Sequence, residues 1–194
     1  MIELKDASIE VCGRSVISNL SLLAYDGKLT CVCGASGSGK TLLLRAFMGF
    51  VPLSGGYLSI DGELVSALSL PVFRKMMVWL PDGLHRYGGS PVFRDSSGWA
   101  VEEYGVWNSV VPEPVVVEPQ CDLEPSAVTA LIERCLLSAG KHIVVADCPA
   151  DDLPADDSER VMRMLREQTA AGLTVVMSTR SAAIASATDV CYEL

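Results

Sequence analysis

A chain of 194 residues is long enough to bury one sizeable core and too short for two full domains, so a single domain over 1–194 is expected. Acidic residues outnumber basic ones, 24 to 15, giving a formal net charge of −9 with no Lys/Arg run, which excludes the cationic footprint of a nucleic-acid or anionic-membrane binder. Although 49% of the residues are apolar, no apolar run reaches the roughly 18 residues that a bilayer crossing needs, so direct membrane insertion is not expected.

The opening residues 1–6 alternate like a strand and lack a signal-peptide layout, which predicts a cytosolic protein. Residues 1–34 read as several short strands, with breaks at 12–14 and 25–28. The apolar run 29–33 is a predicted buried strand, followed by GASGSGKT at 34–41 and by the leucine-rich helical pattern of 42–48. Strand, glycine loop and helix at this spacing form the phosphate-binding P-loop pattern. Gly34, Gly37 and Gly39 permit the close approach and positive φ that turn backbone N–H groups towards phosphate oxygens. The helix beginning near Lys40 adds the positive end of its dipole. Lys40 would reach the β- and γ-phosphates, and the Thr41 hydroxyl would be a ligand of Mg²⁺.

A turn, a short strand and a tight Asp61-Gly62 turn fill residues 49–62, and 76–81 reads as another strand. Pro112, Pro114, Pro119 and Pro125 interrupt the middle third of the chain, so 110–120 is predicted to be extended rather than helical. Trp99 and Trp107 read first as packing residues and second as a contact surface. Val128, Leu131, Ile132, Cys135 and Leu136 follow the spacing of an amphipathic helix. Residues 142–147 are a buried strand ending in a carboxylate, Asp147. Asp156 with Glu159 three residues on predicts an N-capped helix with Val161, Met164 and Leu165 facing inward. A strand at 173–178, a short helix and a strand at 189–193 close the chain. Helices alternating with apolar strands predict an α/β fold with a mainly parallel sheet, preceded by an N-terminal β layer.

Seven cysteines, Cys12, Cys31, Cys33, Cys121, Cys135, Cys148 and Cys191, sit mostly inside apolar patterns, as reduced thiols used as small core residues do. Without a CxxC, and with His85 and His142 far apart, a zinc site is not expected. Cys31 and Cys33 share one face of a strand without disulfide geometry between them, which leaves a redox role as a lesser reading.

The opening strands, GASGSGKT, the leucine-rich helix, the GF-P-S-G turn and the IDG turn together resemble the ATP-binding subunits of ABC transporters, a branch of the P-loop NTPases. The resemblance continues through the strand at 76–81, leading to the glutamine loop, and resumes from the helix around Leu131 to the chain end. It implies ATP and Mg²⁺ as ligands. It also implies that Gly34, Ser36, Gly37, Ser38, Gly39, Lys40, Thr41 and Leu42 hold the nucleotide, with Asp147 as the Walker B carboxylate opposite Thr41 and Asp82 as a further metal candidate. A second ABC ATPase subunit or a membrane permease is the implied partner, which would put the chain at the inner face of a membrane. The family's helical subdomain would be abbreviated or rebuilt over 83–122.

Several positions depart from the family pattern. Cys148 stands where a glutamate acts on the attacking water, and DLEPS at 122–126 stands where the glycines of the LSGGQ signature meet the partner's ATP. Glu124 there would repel a γ-phosphate. Asp82 takes the glutamine position, Arg180 the switch histidine, and Cys12 the adenine-stacking aromatic. Arg180 could still contact a phosphate as a bidentate donor. Losing a stacked aromatic costs roughly 1–3 kcal/mol of affinity, whereas losing a positioned general base costs about 10²- to 10⁴-fold in rate. Binding is therefore expected to outlast hydrolysis. Two alternatives stand beside an ATP-binding subunit with weak turnover: an active ATPase in which Asp151 or Asp152 replaces the glutamate, and an interaction module that no longer binds nucleotide.

Overall fold

The structure, a computed structural model, describes residues 1–82, 132, 136 and 141–194. The expected rebuilt subdomain at 83–122, Trp99, Trp107, the 122–126 stretch and all but Ile132 and Leu136 of the predicted helix lie outside the described residues. The chain runs β1 (Ile2–Val11), β2 (Arg14–Ala24), β3 (Leu29–Cys33), α1 (Lys40–Phe47), β4 (Gly55–Ile60), β5 (Glu63–Leu64), α2 (Leu70–Lys75) and β6 (Met77–Leu80). It continues with β7 (Ile143–Ala146), α3 (Ala155–Ala170), β8 (Thr174–Thr179), α4 (Ala182–Ser186) and β9 (Val190–Glu193).

An antiparallel sheet has the order β2-β1-β4-β5, and a parallel sheet has the order β6-β7-β8-β3-β9. The breaks expected near 12–14 and 25–28 separate β1, β2 and β3, but β1 and β2 are longer than the short strands expected and are paired over most of their length. Their polar interruptions are bulges. Asp6 and Asn19 adopt φ of 49° and 53°, and their N–H groups donate to Ser21 Oγ at 3.0 Å and Ser8 Oγ at 3.1 Å, so the ladder continues past each kink.

Strand alternation sends the two faces of the parallel sheet into separate cores. Val32, Ile143, Val145 and Val176 pack with Leu43, Leu44 and Phe47 of α1 and with Ile2, Leu4 and Ile60 of the antiparallel sheet. On the other face Cys31, Val144, Ala146, Val175 and Met177 pack with Val161, Met162, Met164 and Leu165 of α3 and with Ile132 and Leu136. Thus the helix after the glycine loop shares one core with both sheets. Tyr192 adds a polar tie between them, its hydroxyl accepting from Leu23 N–H at 3.1 Å and donating to Leu23 O at 3.3 Å.

The start of α3 also differs from expectation. Pro154 is the N-cap, with φ −54° and ψ 154° and no side-chain cap. Proline's preset φ caps the helix two residues ahead of the predicted cap Asp156, and Asp156 and Asp157 instead sit in the first turn, where carboxylates meet the positive dipole end. Among the described residues, no helix is long and apolar enough to cross a membrane.

If the α1 core holds both sheets in place, Phe47→Ala, which empties a fully buried position, lowers unfolding stability by about 3–5 kcal/mol. Urea denaturation read by circular dichroism checks this. A loss within the range of a surface substitution would place the support of the glycine loop elsewhere.

Candidate functional site

The carboxyl ends of β3, β7 and β8 lie side by side, with β8 between the other two. In parallel sheets this edge is where loops gather to bind ligands. Residues 34–39 turn directly from β3 into α1. Gly39, the N-cap, has φ 101°, and a Cβ there would lie 2.9 Å from Val16 Cγ1, so β2 closes the back of the loop. At Gly34 an added Cβ would lie 2.7 Å from Leu194 O and 2.8 Å from Ser38 Oγ. Both positions therefore exclude any side chain. Ser36 and Gly37 are exposed, Ser38, Thr41 and Leu42 are half-buried, and Lys40 is buried.

Lys40 lies back along the loop. Its Nζ donates to Gly34 O at 2.8 Å, Ala35 O at 2.6 Å and Ser38 Oγ at 3.4 Å, which uses the three donors of an ammonium. No side chain caps α1 and its first turn holds no acid, so this helix end suits an anionic ligand.

Beyond β7, Asp147 is 1% exposed. Its Oδ1 accepts from Ser178 Oγ at 2.5 Å, while its buried Oδ2 has no hydrogen-bond partner among the described residues. A buried carboxylate oxygen left so is costly unless an ion or donor completes it. The residues present fit a hard, oxygen-seeking cation such as Mg²⁺.

Cys148 follows in the left-handed region, with φ 45°. Its N–H donates to Ser178 Oγ at 3.0 Å and its Sγ lies 3.5 Å from the same oxygen. Burial pushes the thiol up to about 12, and the charges of Asp151, Asp147 and Asp82 oppose ionisation further, against the Ser178 hydrogen bond. A thiol held neutral in this way is no general base near neutral pH.

Asp151 and Asp152 are engaged with Arg180. Asp151 Oδ1 accepts from Thr179 Oγ1 at 2.5 Å, and its Oδ2 accepts from Arg180 N–H at 2.7 Å and Nε at 3.2 Å. Arg180 Nη2 donates to Asp152 Oδ2 at 2.8 Å. Its hydrogen bonds to the Asp152 and Asp151 carboxylates hold the guanidinium well above its ordinary range. The Arg180 fork, which could contact a phosphate as a bidentate donor, here serves two carboxylates. Asp82, exposed after β6, acts on Cys148 through its charge. Cys12 is exposed at the β1–β2 connection, with φ 50°.

Sequence reasoning overlooked Ser178, which bridges Asp147 and Cys148 from the neighbouring strand. A hydroxyl in an otherwise apolar strand pattern, level with a strand-ending carboxylate, was the available signal.

The family model described as ABC transporter matches residues 17–147, more than half the chain. The chain belongs to the ABC transporter family. Its relatives include the Fe(3+) ions import ATP-binding protein FbpC of Streptomyces coelicolor, 39% identical over 63 residues, covering 32% of this chain and 18% of that protein. The hemin import ATP-binding protein HmuV of Rhizobium meliloti is 38% identical over 68 residues, 35% of this chain and 26% of that protein. The macrolide export ATP-binding/permease protein MacB of Escherichia coli is 28% identical across 89% of this chain and 29% of that protein. The matched stretches thus span less than a third of these curated relatives. Among solved structures, an ATP-binding cassette dimer in a post-hydrolysis state with ADP and phosphate superposes with a TM-score of 0.74 at 17% identity, covering 100% of this chain and 94% of that one. A putative ABC transporter ATP-binding protein from Pyrococcus furiosus gives 0.70 at 18% identity, covering 100% and 96%. At these identities the structures establish the cassette fold, a P-loop NTPase with an antiparallel layer.

Ser178→Ala removes the donor from a buried ABC-family carboxylate. We expect unfolding stability to fall by about 1–3 kcal/mol, measured by urea titration at neutral pH without divalent ions, and an unchanged midpoint would mean that Asp147 does not depend on this hydroxyl.

Proposed function

We propose that this chain is an ATP-binding subunit of an ABC transporter that holds Mg-ATP and by itself turns it over weakly or not at all. The observation that carries the reading is the uncapped start of α1, with its glycine loop, on the same sheet edge as a buried carboxylate oxygen that lacks a partner among the described residues. Gly34, Ser36, Gly37, Ser38, Gly39, Lys40, Thr41 and Leu42 would receive the phosphates. Backbone N–H groups and the Lys40 ammonium supply the positive field there. Thr41 and Asp147 would hold the Mg²⁺, with Asp82 as an additional ligand, and the bound ion would neutralise phosphate charge.

The chain's own side chains argue against efficient turnover. A protonated Cys148 replaces the glutamate that would act on water, and Arg180 replaces the switch histidine while bound to Asp151 and Asp152. Those two carboxylates, the nearest substitutes for the missing glutamate, are themselves committed to Arg180 and Thr179. In the family a complete site takes its P-loop from one subunit and its signature from another. Two copies of this chain would lack the glutamate and the signature glycines in both sites. Paired with an intact subunit, one site would lack the glutamate and the other the signature.

The whole chain would act as one ABC-type domain, on the cytoplasmic face of a membrane, docked on a permease or paired with a second ATPase subunit. That placement rests on family membership and on relatives that are import or export ATP-binding proteins.

Purified protein incubated with labelled Mg-ATP should retain intact ATP over hours, and Lys40→Ala should retain none. Binding to the native state alone raises stability by about 2.7 kcal/mol at a ligand concentration one hundred times Kd. Steady ADP production by the wild type, abolished in Lys40→Ala, would overturn the weak-turnover reading, and its loss in Asp151→Asn or Asp152→Asn would name the replacement base. A melting temperature indifferent to Mg-ATP would instead point to a nucleotide-independent interaction module.

A further inference from the structure

Where the edge strand β9 meets β3, three thiols gather on one face. Cys31 lies opposite Cys191 in the strand register, and Cys191 Sγ lies 3.2 Å from Cys33 Sγ, although the two residues are 158 positions apart in sequence. All three are free thiols. They differ in access: Cys31 is fully buried, Cys33 is half-buried and Cys191 is exposed.

We propose that Cys33 and Cys191 are an oxidisable pair that forms an intramolecular disulfide with peroxide, a modification site joining the edge strand to the strand that carries the glycine loop. The exposed Cys191 meets the oxidant first. Its thiol gives up its proton, the thiolate sulfur attacks one peroxide oxygen, the O–O bond breaks, and the departing hydroxide takes up a proton and leaves as one water, with Cys191 now a sulfenic acid. The Cys33 sulfur then attacks Cys191 Sγ, the S–O bond breaks, and the departing hydroxide takes the Cys33 proton and leaves as a second water. Two thiols are oxidised by two electrons and one hydrogen peroxide is reduced to two waters.

Order and pairing follow from the surroundings. Burial, with the hydrogen bond to Cys191, pushes the Cys33 thiol up to about 11, so it stays protonated near neutral pH and does not compete for peroxide. Burial pushes Cys31 higher still. To bond, the sulfurs must close from 3.2 Å to about 2.05 Å. The register sets Cys191 opposite Cys31 and Glu193 opposite Cys33, so the bond runs diagonally between the strands and draws the backbone of β9 towards β3, where Leu194 N–H already donates to Cys33 O at 2.9 Å. The bond would lie directly before Gly34, whose missing Cβ makes room for Leu194 O.

The test uses the full chain, reduced and then treated with stoichiometric hydrogen peroxide, followed by alkylation, proteolysis and mass spectrometry. The expected result is one new linked peptide pair joining Cys33 to Cys191 and a loss of two alkylatable thiols, reversed by dithiothreitol. Cys31→Ser and Cys12→Ser should keep the link, and Cys191→Ser should leave Cys33 fully alkylatable after the same treatment. A Cys31–Cys191 link, a link between two molecules, or Cys191 carried on to sulfinic acid with Cys33 still free would each overturn the proposal. None of these readouts requires nucleotide, so failure of the ATP-binding reading would not alter them.

Discussion

The packing of α1 between two sheets is the constraint on which the rest of this structure depends. Leu43, Leu44 and Phe47 are fully buried in a core shared by the antiparallel strands and by one face of the parallel sheet. A helix of eight residues is too short to be stable in isolation. Tertiary burial must therefore hold it, and burial also fixes where its N-terminus and the preceding loop point. The N-terminal antiparallel layer thus has a direct role at the site. Val16 and Ile17 of β2 press against Gly39, so the loop is shaped from behind by apolar side chains of that strand.

At the carboxyl edge of the parallel sheet, the electrostatics divide into two units with opposite solutions. Asp147 keeps one oxygen on Ser178, and its other oxygen, buried, has no hydrogen-bond partner among the described residues. Asp151 and Asp152 are satisfied internally by Thr179 and Arg180. Cys148 lies between the two in sequence, strained at φ 45° and tied to the same hydroxyl as Asp147. One side of the edge is built to accept a ligand. The other is closed on itself by the ion pairs of Arg180 with Asp151 and Asp152.

The glycine loop and Asp147 were legible because their signals are local: fixed spacing in one case, an apolar run ending in a carboxylate in the other. The same holds for the alternation that sorts the two faces of the parallel sheet. What sequence hid depends on strand neighbours. Arg180 finds Asp151 and Asp152, and Ser178 finds Asp147, only because β7 and β8 pair in one register. Cys33 meets Cys191 only because β9 adds beside β3. The bulges at Asp6 and Asn19 likewise depend on the pairing of β1 with β2 and have no signal in the local sequence. At α3 a real capping signal lost to Pro154, whose fixed φ starts the helix without any side-chain bond.

The edge strand β9 ties the glycine loop to both sheets. Just before it, Asp189 Oδ2 accepts from Leu29 N–H at 2.8 Å; the strand then pairs along β3 through Cys33 and sends Tyr192 to Leu23 of the antiparallel layer. It is thus bonded to both sheets at once, and Leu194 O occupies the space beside Gly34. A strand placed there can influence the glycine loop without touching a ligand, since any displacement of β9 moves the wall against which Gly34 is packed. The exposed Cys191 and half-buried Cys33 lie at the border of the parallel sheet where chemistry in solvent can reach the root of the loop. Tight packing makes that border an effective lever, because a close-packed contact transmits a shift of about an ångström where a loose one would absorb it.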